Sequence, residues 1–250
     1  MDLRPIAAAA PKVPLQGTVL RLVQQQGIDS LAPLVDDLSQ LARLEALVES
    51  SKPPLLATAC AGPNHSLLTT PFRYSPLRHG SRFGSRLHRG IFYGSRSRSG
   101  SLVEGAFYAL LFWEGLIEPP PGPIRRRQTL FSVLLKATRG LKLQAISNAT
   151  TQAVLRDPAA YGATQQLGEW MRDQGVEAFE YFSARSSEAL VQLGVFTPAV
   201  FQSTSFDQVE ITTELTAAHV SFLCHDDGRL HRFPRQLFLI DGQLPRAAAT

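Results

Sequence analysis

Apolar positions in the first fifty residues recur at helical spacing. Leu15, Val19, Leu22 and Val23 share one helix face, and after Gly27 a second stripe runs through Leu34, Leu38, Leu41, Leu44, Leu47 and Val48. Ser30 is placed to cap that second helix, with Pro33 in its first turn and Asp29, Asp36 and Asp37 near its positive end. An amphipathic pair this short reads as a packing element, and Pro53-Pro54 closes it. Residues 55–100 are rich in Gly, Ser, Pro and Arg, which predicts loops and short strands, the best being Gly90-Ile91-Phe92-Tyr93-Gly94. Ser101 is positioned to cap a helix over 102–113 that carries Glu104 in its first turn. A proline-rich loop over 118–123 follows.

Beyond it, strands are predicted over 129–135 and 141–146, and a helix over 158–172 with Asp157 as its cap. Two strands, 176–182 and 190–196, flank the polar turn 183–187. Three more β-like segments cover 207–215, 218–224 and 235–241, and His225-Asp226-Asp227 before Gly228 reads as a hairpin turn. Strands outnumber helices after residue 90 without a βαβ repeat, so the fold class is α+β. The division expected is a helical segment over 1–52 and a second domain over 53–245.

Composition narrows the function classes. With 250 residues, 44% of them hydrophobic and 18% charged, the chain can bury a sizeable core. A formal charge of +4 is mild for a nucleic-acid-coating protein. Nearly all the positive charge is Arg, the side chain suited to forked recognition of anions. Cys60 and Cys224 are far apart and have no CxxC partner, which argues for a reducing compartment and against a zinc site. No segment has the ~18 consecutive apolar residues a membrane span needs, and no export signal is evident, so the expected compartment is the cytoplasm. The six histidines have no metal-binding spacing, and GxGxxG, P-loop and GxSxG motifs are absent, so no metal and no bound cofactor is expected.

The chemistry concentrates elsewhere. Between Glu49 and Glu104 there is no acidic residue, yet Arg73, Arg78, Arg82, Arg86, Arg89, Arg96 and Arg98 fall in the second half of that interval. With nothing local to neutralise them, an anionic partner is expected. Three readings compete: a nucleic-acid surface with Tyr74, Phe83 and Tyr93 for stacking, a solvated basic face, and a small-anion pocket using two or three of the arginines.

The succession FRYSPLRHGSRFG, GIFYG, a Glu eleven residues after that Tyr, and then DPAAYGATQQLGEWMRDQGVEAFEYFSARSSEALVQLGVFTP resembles the RES-domain family over residues 70–202. The resemblance implies an ADP-ribosyltransferase-toxin-like fold: a split, bent mixed β-sheet with flanking helices, here preceded by an N-terminal helical segment. It also implies a toxin of a toxin–antitoxin pair that destroys NAD by phosphorolysis or hydrolysis of the nicotinamide–ribose bond. Inorganic phosphate is a co-substrate if the route is phosphorolysis, and a helix-turn-helix antitoxin is the partner, with no direct nucleic-acid partner and homo-oligomerisation left open. On this resemblance Arg73 and Arg82 bind the pyrophosphate, beside Tyr74. Tyr93 meets the nicotinamide, Glu104 is the catalytic acid, Ser183 the motif serine (with Ser186 and Ser187 close by), and Arg185 a surplus phosphate ligand. ADP-ribosylation of a protein, and nucleotide or nucleic-acid binding without catalysis, are the alternatives.

Overall fold

Residues 13–24, periodic enough for a helix, form strand β1 (Val13–Gln24) instead. Four of its residues, Val13, Thr18, Val19 and Val23, are β-branched, and Gly17 adopts φ 114°, which no helix accommodates. Burial alternates over 13–19, with Leu15 and Val19 inside and Pro14, Gln16 and Thr18 exposed; beyond Val19 apolar neighbours cover both faces and the alternation fades. The computed structural model describes residues 1–24, 34–53, 65–74, 80–203 and 207–245. Ser30, Pro33, Cys60 and Arg78 lie outside them.

Short helix α1 (Arg4–Ala9) precedes β1, and α2 (Leu38–Ser51) and α3 (Ser66–Arg73) follow it. The N-cap of α2 is Asp37, which accepts the Gln40 N–H at 2.8 Å. Then come β2 (Phe92–Ser95), α4 (Arg98–Glu114), β3 (Ile124–Lys142), α5 (Ala149–Leu155) and α6 (Gly162–Asp173). The chain continues through β4 (Ala178–Phe182), β5 (Val191–Val195), β6 (Asp207–Leu215), β7 (His219–Cys224) and β8 (Leu230–Pro234).

Several boundaries differ from the sequence reading. Ser97, not Ser101, caps α4, accepting the Gly100 N–H at 3.1 Å, so Glu104 lies in the second turn. The two strands expected over 129–146 are one long strand, because side chains keep alternating inward and outward through Val133–Thr138. The last strand is 230–234; residues 235–238 form a 3-10 turn. Asp157 binds the N–H groups of Ala159 and Ala160, capping a turn ahead of the regular helix.

Among the described residues eight strands make one mixed sheet in the order β1-β2-β5-β4-β3-β6-β7-β8, and β1 also pairs with β3. The β3–β4 pairing is parallel and the others are antiparallel. Because β1 pairs on both sides, the sheet bends until β1, β2, β5, β4 and β3 close on themselves. Inside that ring lies a core of Leu15, Val19, Phe92, Phe131, Leu135 and Val195. Strands β6–β8 extend the sheet outward, and α4 packs where ring and extension meet. The architecture is α+β: a bent mixed sheet with flanking helices.

Helix α6 fixes the loop that carries Arg82. Thr164 donates to the Arg82 carbonyl at 2.5 Å and Gln165 to that of Ser81 at 3.0 Å. Gly168 admits the Phe83 carbonyl, whose oxygen would lie 1.8 Å from any added Cβ. Gly168→Ala is therefore expected to cost about 3 kcal/mol, as backbone against backbone cannot relax cheaply. Urea unfolding checks this, and an unchanged midpoint would contradict the packing described.

Candidate active site

One face of α4 presents Ser101, Glu104, Gly105, Tyr108, Ala109 and Phe112, a spacing of three and four, to a cavity of about 500 Å³. That volume is in the range of small-molecule sites. The opposite wall is the sheet, with Leu20, Leu22 and Gln24 of β1 beside Arg126 and Gln128 of β3. Gly105 lets the layers approach: a Cβ there would meet Leu22 Cδ2 at 2.7 Å. The cavity ends at Ser81, Arg82, Tyr93, Tyr161, Tyr181 and Arg185.

Glu104 is the one carboxylate among the described lining residues. The Ser183 hydroxyl donates to its Oε1 at 2.7 Å. Ser183 is fully buried on the strand-to-turn corner after β4, and its oxygen also accepts the Arg185 N–H at 3.0 Å. The hydroxyl is thus committed in both directions, and its task is to aim Glu104. Tyr93 is fixed in the same way: its hydroxyl lies 2.9 Å from Ser81 Oγ and accepts the Phe83 N–H. Burial pushes the Tyr93 hydroxyl up to about 12. The same cause raises Tyr181 well above its ordinary range.

Three guanidinium groups line the cavity, and each lies over an aromatic ring: Arg82 over Tyr161, Arg126 over Phe112 and Arg185 over Phe107; a fourth, Arg21, lies over Phe92 within the strand ring. Arg82 donates to the carbonyls of Leu155 and Asp157, while its buried Nη2 has no partner among the described residues. Arg185 donates to the Pro158 carbonyl and the Tyr161 hydroxyl. Arg21 is more exceptional. Its Nη1 is buried without a partner, and desolvation lowers its pKa to about 10. Burying that charge costs on the order of 3 kcal/mol. Three cations facing one carboxylate make the cavity an attractor for anions.

Of the site residues expected from sequence, Arg82, Tyr93, Glu104, Ser183 and Arg185 come together here. Arg73 and Tyr74 do not. Arg73 ends α3 and pairs with Glu49 of α2 at 2.6 Å, and Tyr74 is exposed; neither is among the cavity's lining residues. The acid-free run is also less bare than it reads, because distant carboxylates reach it. Arg96 binds Glu180, and Arg98 binds Asp226 and Asp227. Arg126 also lines the cavity, and only the alternation of β3, which turns Arg125 and Arg127 outward, could have marked it.

The RES domain family model matches residues 56–215, more than half of the chain. The chain belongs to the RES domain family. A search of curated proteins returned no match. Membership supports a toxin-like, NAD-related enzymatic role at the level of the family. Within the RES segment lie Arg82, Tyr93, Glu104, Arg126, Ser183 and Arg185; β1, with Arg21, precedes it. No helix among the described residues is long and apolar enough to cross a membrane.

The Tyr93 environment sets a pH test. Its hydroxyl ionises near 10 when unfolded and about 12 when folded, so the folded state holds the proton longer. The stability this residue adds is fully present below pH ~10 and is lost as pH rises toward the folded value. Tyr93→Phe is expected to cost about 1–2 kcal/mol at pH 8, because the Phe83 N–H loses its acceptor. The margin between wild type and variant should shrink in urea unfolding between pH 10 and 11.5; a margin constant across that interval would contradict the assignment.

Proposed function

We propose that this RES domain cleaves NAD at the nicotinamide–ribose bond, as the toxin of a toxin–antitoxin pair. The observation that carries the reading is Glu104: the one carboxylate among the described lining residues, hydrogen-bonded by a buried serine, in a cavity that also presents tyrosines and arginines. NAD presents the complementary chemistry. Its pyrophosphate is anionic, and its nicotinamide is positively charged while bonded to ribose. The ring leaves as neutral nicotinamide, taking the electron pair of the C–N bond. Positive charge then develops on the ribose, as in other glycosyl transfers. Glu104 stabilises that charge electrostatically. The acceptor, phosphate or water, then attacks the anomeric carbon; in hydrolysis Glu104 takes the proton water releases.

Tyr93 and Tyr181 stay un-ionised through neutral pH, so the walls add no negative charge to compete for the phosphates. Arg82 keeps one unpaired N–H edge for them. A helix-turn-helix antitoxin covering the cavity mouth is the partner this reading implies.

The test is purified protein with NAD, with and without inorganic phosphate, followed by quantification of nicotinamide. Release is expected, and Glu104→Gln should lower it by about 1,000-fold, since one aimed charge is removed from the transition state. Ser183→Ala should lower kcat by about 10–100-fold with little change in KM, because Glu104 remains but is no longer aimed. An intact NAD pool under both conditions would overturn the reading. Label transferred to a lysate protein with little free ADP-ribose would instead indicate protein ADP-ribosylation.

A further inference from the structure

We infer that this cavity accepts the 2′-phosphorylated dinucleotide, NADP, as well as NAD, with Arg126 receiving the extra phosphate. The orientation of the ligand rests on the NAD reading; the availability of the arginine stands on geometry. Arg82 and Arg185 commit N–H groups to main-chain carbonyls and, for Arg185, to the Tyr161 hydroxyl. Arg126 has no hydrogen bond and no carboxylate partner among the described residues, only the Phe112 ring 4.2 Å from its guanidinium carbon. Its neighbours behave otherwise: Arg125 pairs with Glu214 and Arg127 lies near Glu210, all on the outer face of the β3–β6 pair. Gln128, the next cavity residue along β3, accepts the Thr213 hydroxyl at 2.5 Å through Oε1. Its amide nitrogen is a second donor with no protein partner among the described residues.

Two rulers place Arg126 relative to Glu104. Gly105 packs on Leu22, the cross-strand partner of Leu130, and Phe112 packs on Arg126, so α4 runs antiparallel to β3 along the cavity. From Gly105 to Phe112 the helix rises about 10 Å, and from Leu130 to Arg126 the strand covers about 13 Å. With the nicotinamide ribose at Glu104, the diphosphate attached to that ribose falls between the two levels. The second ribose, which carries the 2′ position, then stands at the level of Arg126. Ile124 and Leu215, cross-strand partners on the cavity wall, lie beyond it and offer the adenine an apolar slot. A site that selects the 2′-hydroxyl does so with a carboxylate, which accepts the hydroxyl and repels a phosphate, whereas an arginine there admits the phosphate. No acid stands at that level: Glu104 is the one carboxylate among the described lining residues, and the β6 acids are on the outer face. A guanidinium held only by a ring face keeps its N–H edges open for forked donation to a phosphomonoester.

ADP-ribose and 2′-phospho-ADP-ribose are titrated calorimetrically into wild type, Arg126→Met and the outward control Arg125→Met, and nicotinamide release from NAD and from NADP is followed for each protein. Wild type is expected to bind the 2′-phosphorylated ligand at least as tightly as ADP-ribose and to release nicotinamide from both dinucleotides. In Arg126→Met the ratio of the two affinities should shift against the 2′-phosphorylated ligand by about 10-fold or more, while the control keeps the wild-type ratio. A wild type that binds 2′-phospho-ADP-ribose about 10-fold more weakly than ADP-ribose would overturn the proposal without recourse to any variant. A ratio that Arg126→Met leaves unmoved would overturn it too, since the arginine would then serve the diphosphate or nothing. Cleavage of NAD with NADP left intact would remove the proposal and keep the NAD reading. Arg126-dependent binding of the 2′-phosphate by a protein that cleaves neither dinucleotide would keep the subsite and remove the cleavage reading. A wild type that binds neither ligand would overturn both.

Discussion

Holding three cations in one cavity without neutralising them is the constraint on which this site depends. Carboxylates would hold arginines more strongly, but they would also occupy the edges needed for an anion. Aromatic faces and main-chain carbonyls hold them here instead. Such contacts orient a guanidinium while leaving its charge available. One carboxylate, Glu104, is admitted, and its orientation is fixed by Ser183 rather than by any of these arginines. The arrangement keeps cation and carboxylate separate until a ligand carrying both charges enters.

The fold supplies what this separation requires. Closure of the sheet through β1 places Leu20 and Leu22 under α4. The alternation of a single long strand sends Arg126 inward between two outward arginines. Helix α6 grips the Ser81–Phe83 loop through its carbonyls, and that grip sets Arg82 over Tyr161. The turn after β4 carries Ser183 and Arg185 two residues apart, so one corner aims the acid and contributes a cation. Apart from that corner, none of these contacts is local in sequence.

That non-locality decides what was legible. The β4–β5 pair and its polar turn were readable, because alternation and turn residues are local signals. Glu104 stood out as the first acid after the arginine run, and Ser183 through the motif resemblance. Strand β1 alternates only over 13–19; beyond Val19 both faces are covered, and Leu15, Val19, Leu22 and Val23 then fit a helix as well as a strand. Arg73 was misplaced for a related reason: its partner Glu49 lies on α2, and an ion pair between distant helices leaves no trace in spacing. The arginine run looked uncompensated because Glu180, Asp226 and Asp227 arrive from far along the chain.

The most direct measurement is a crystal structure of the Glu104→Gln variant with NAD. The account predicts the dinucleotide inside the cavity, with its nicotinamide ribose within hydrogen-bond distance of the side chain at 104 and the ring near Tyr93. NAD bound elsewhere, or seated with its adenine ribose at residue 104, would contradict it.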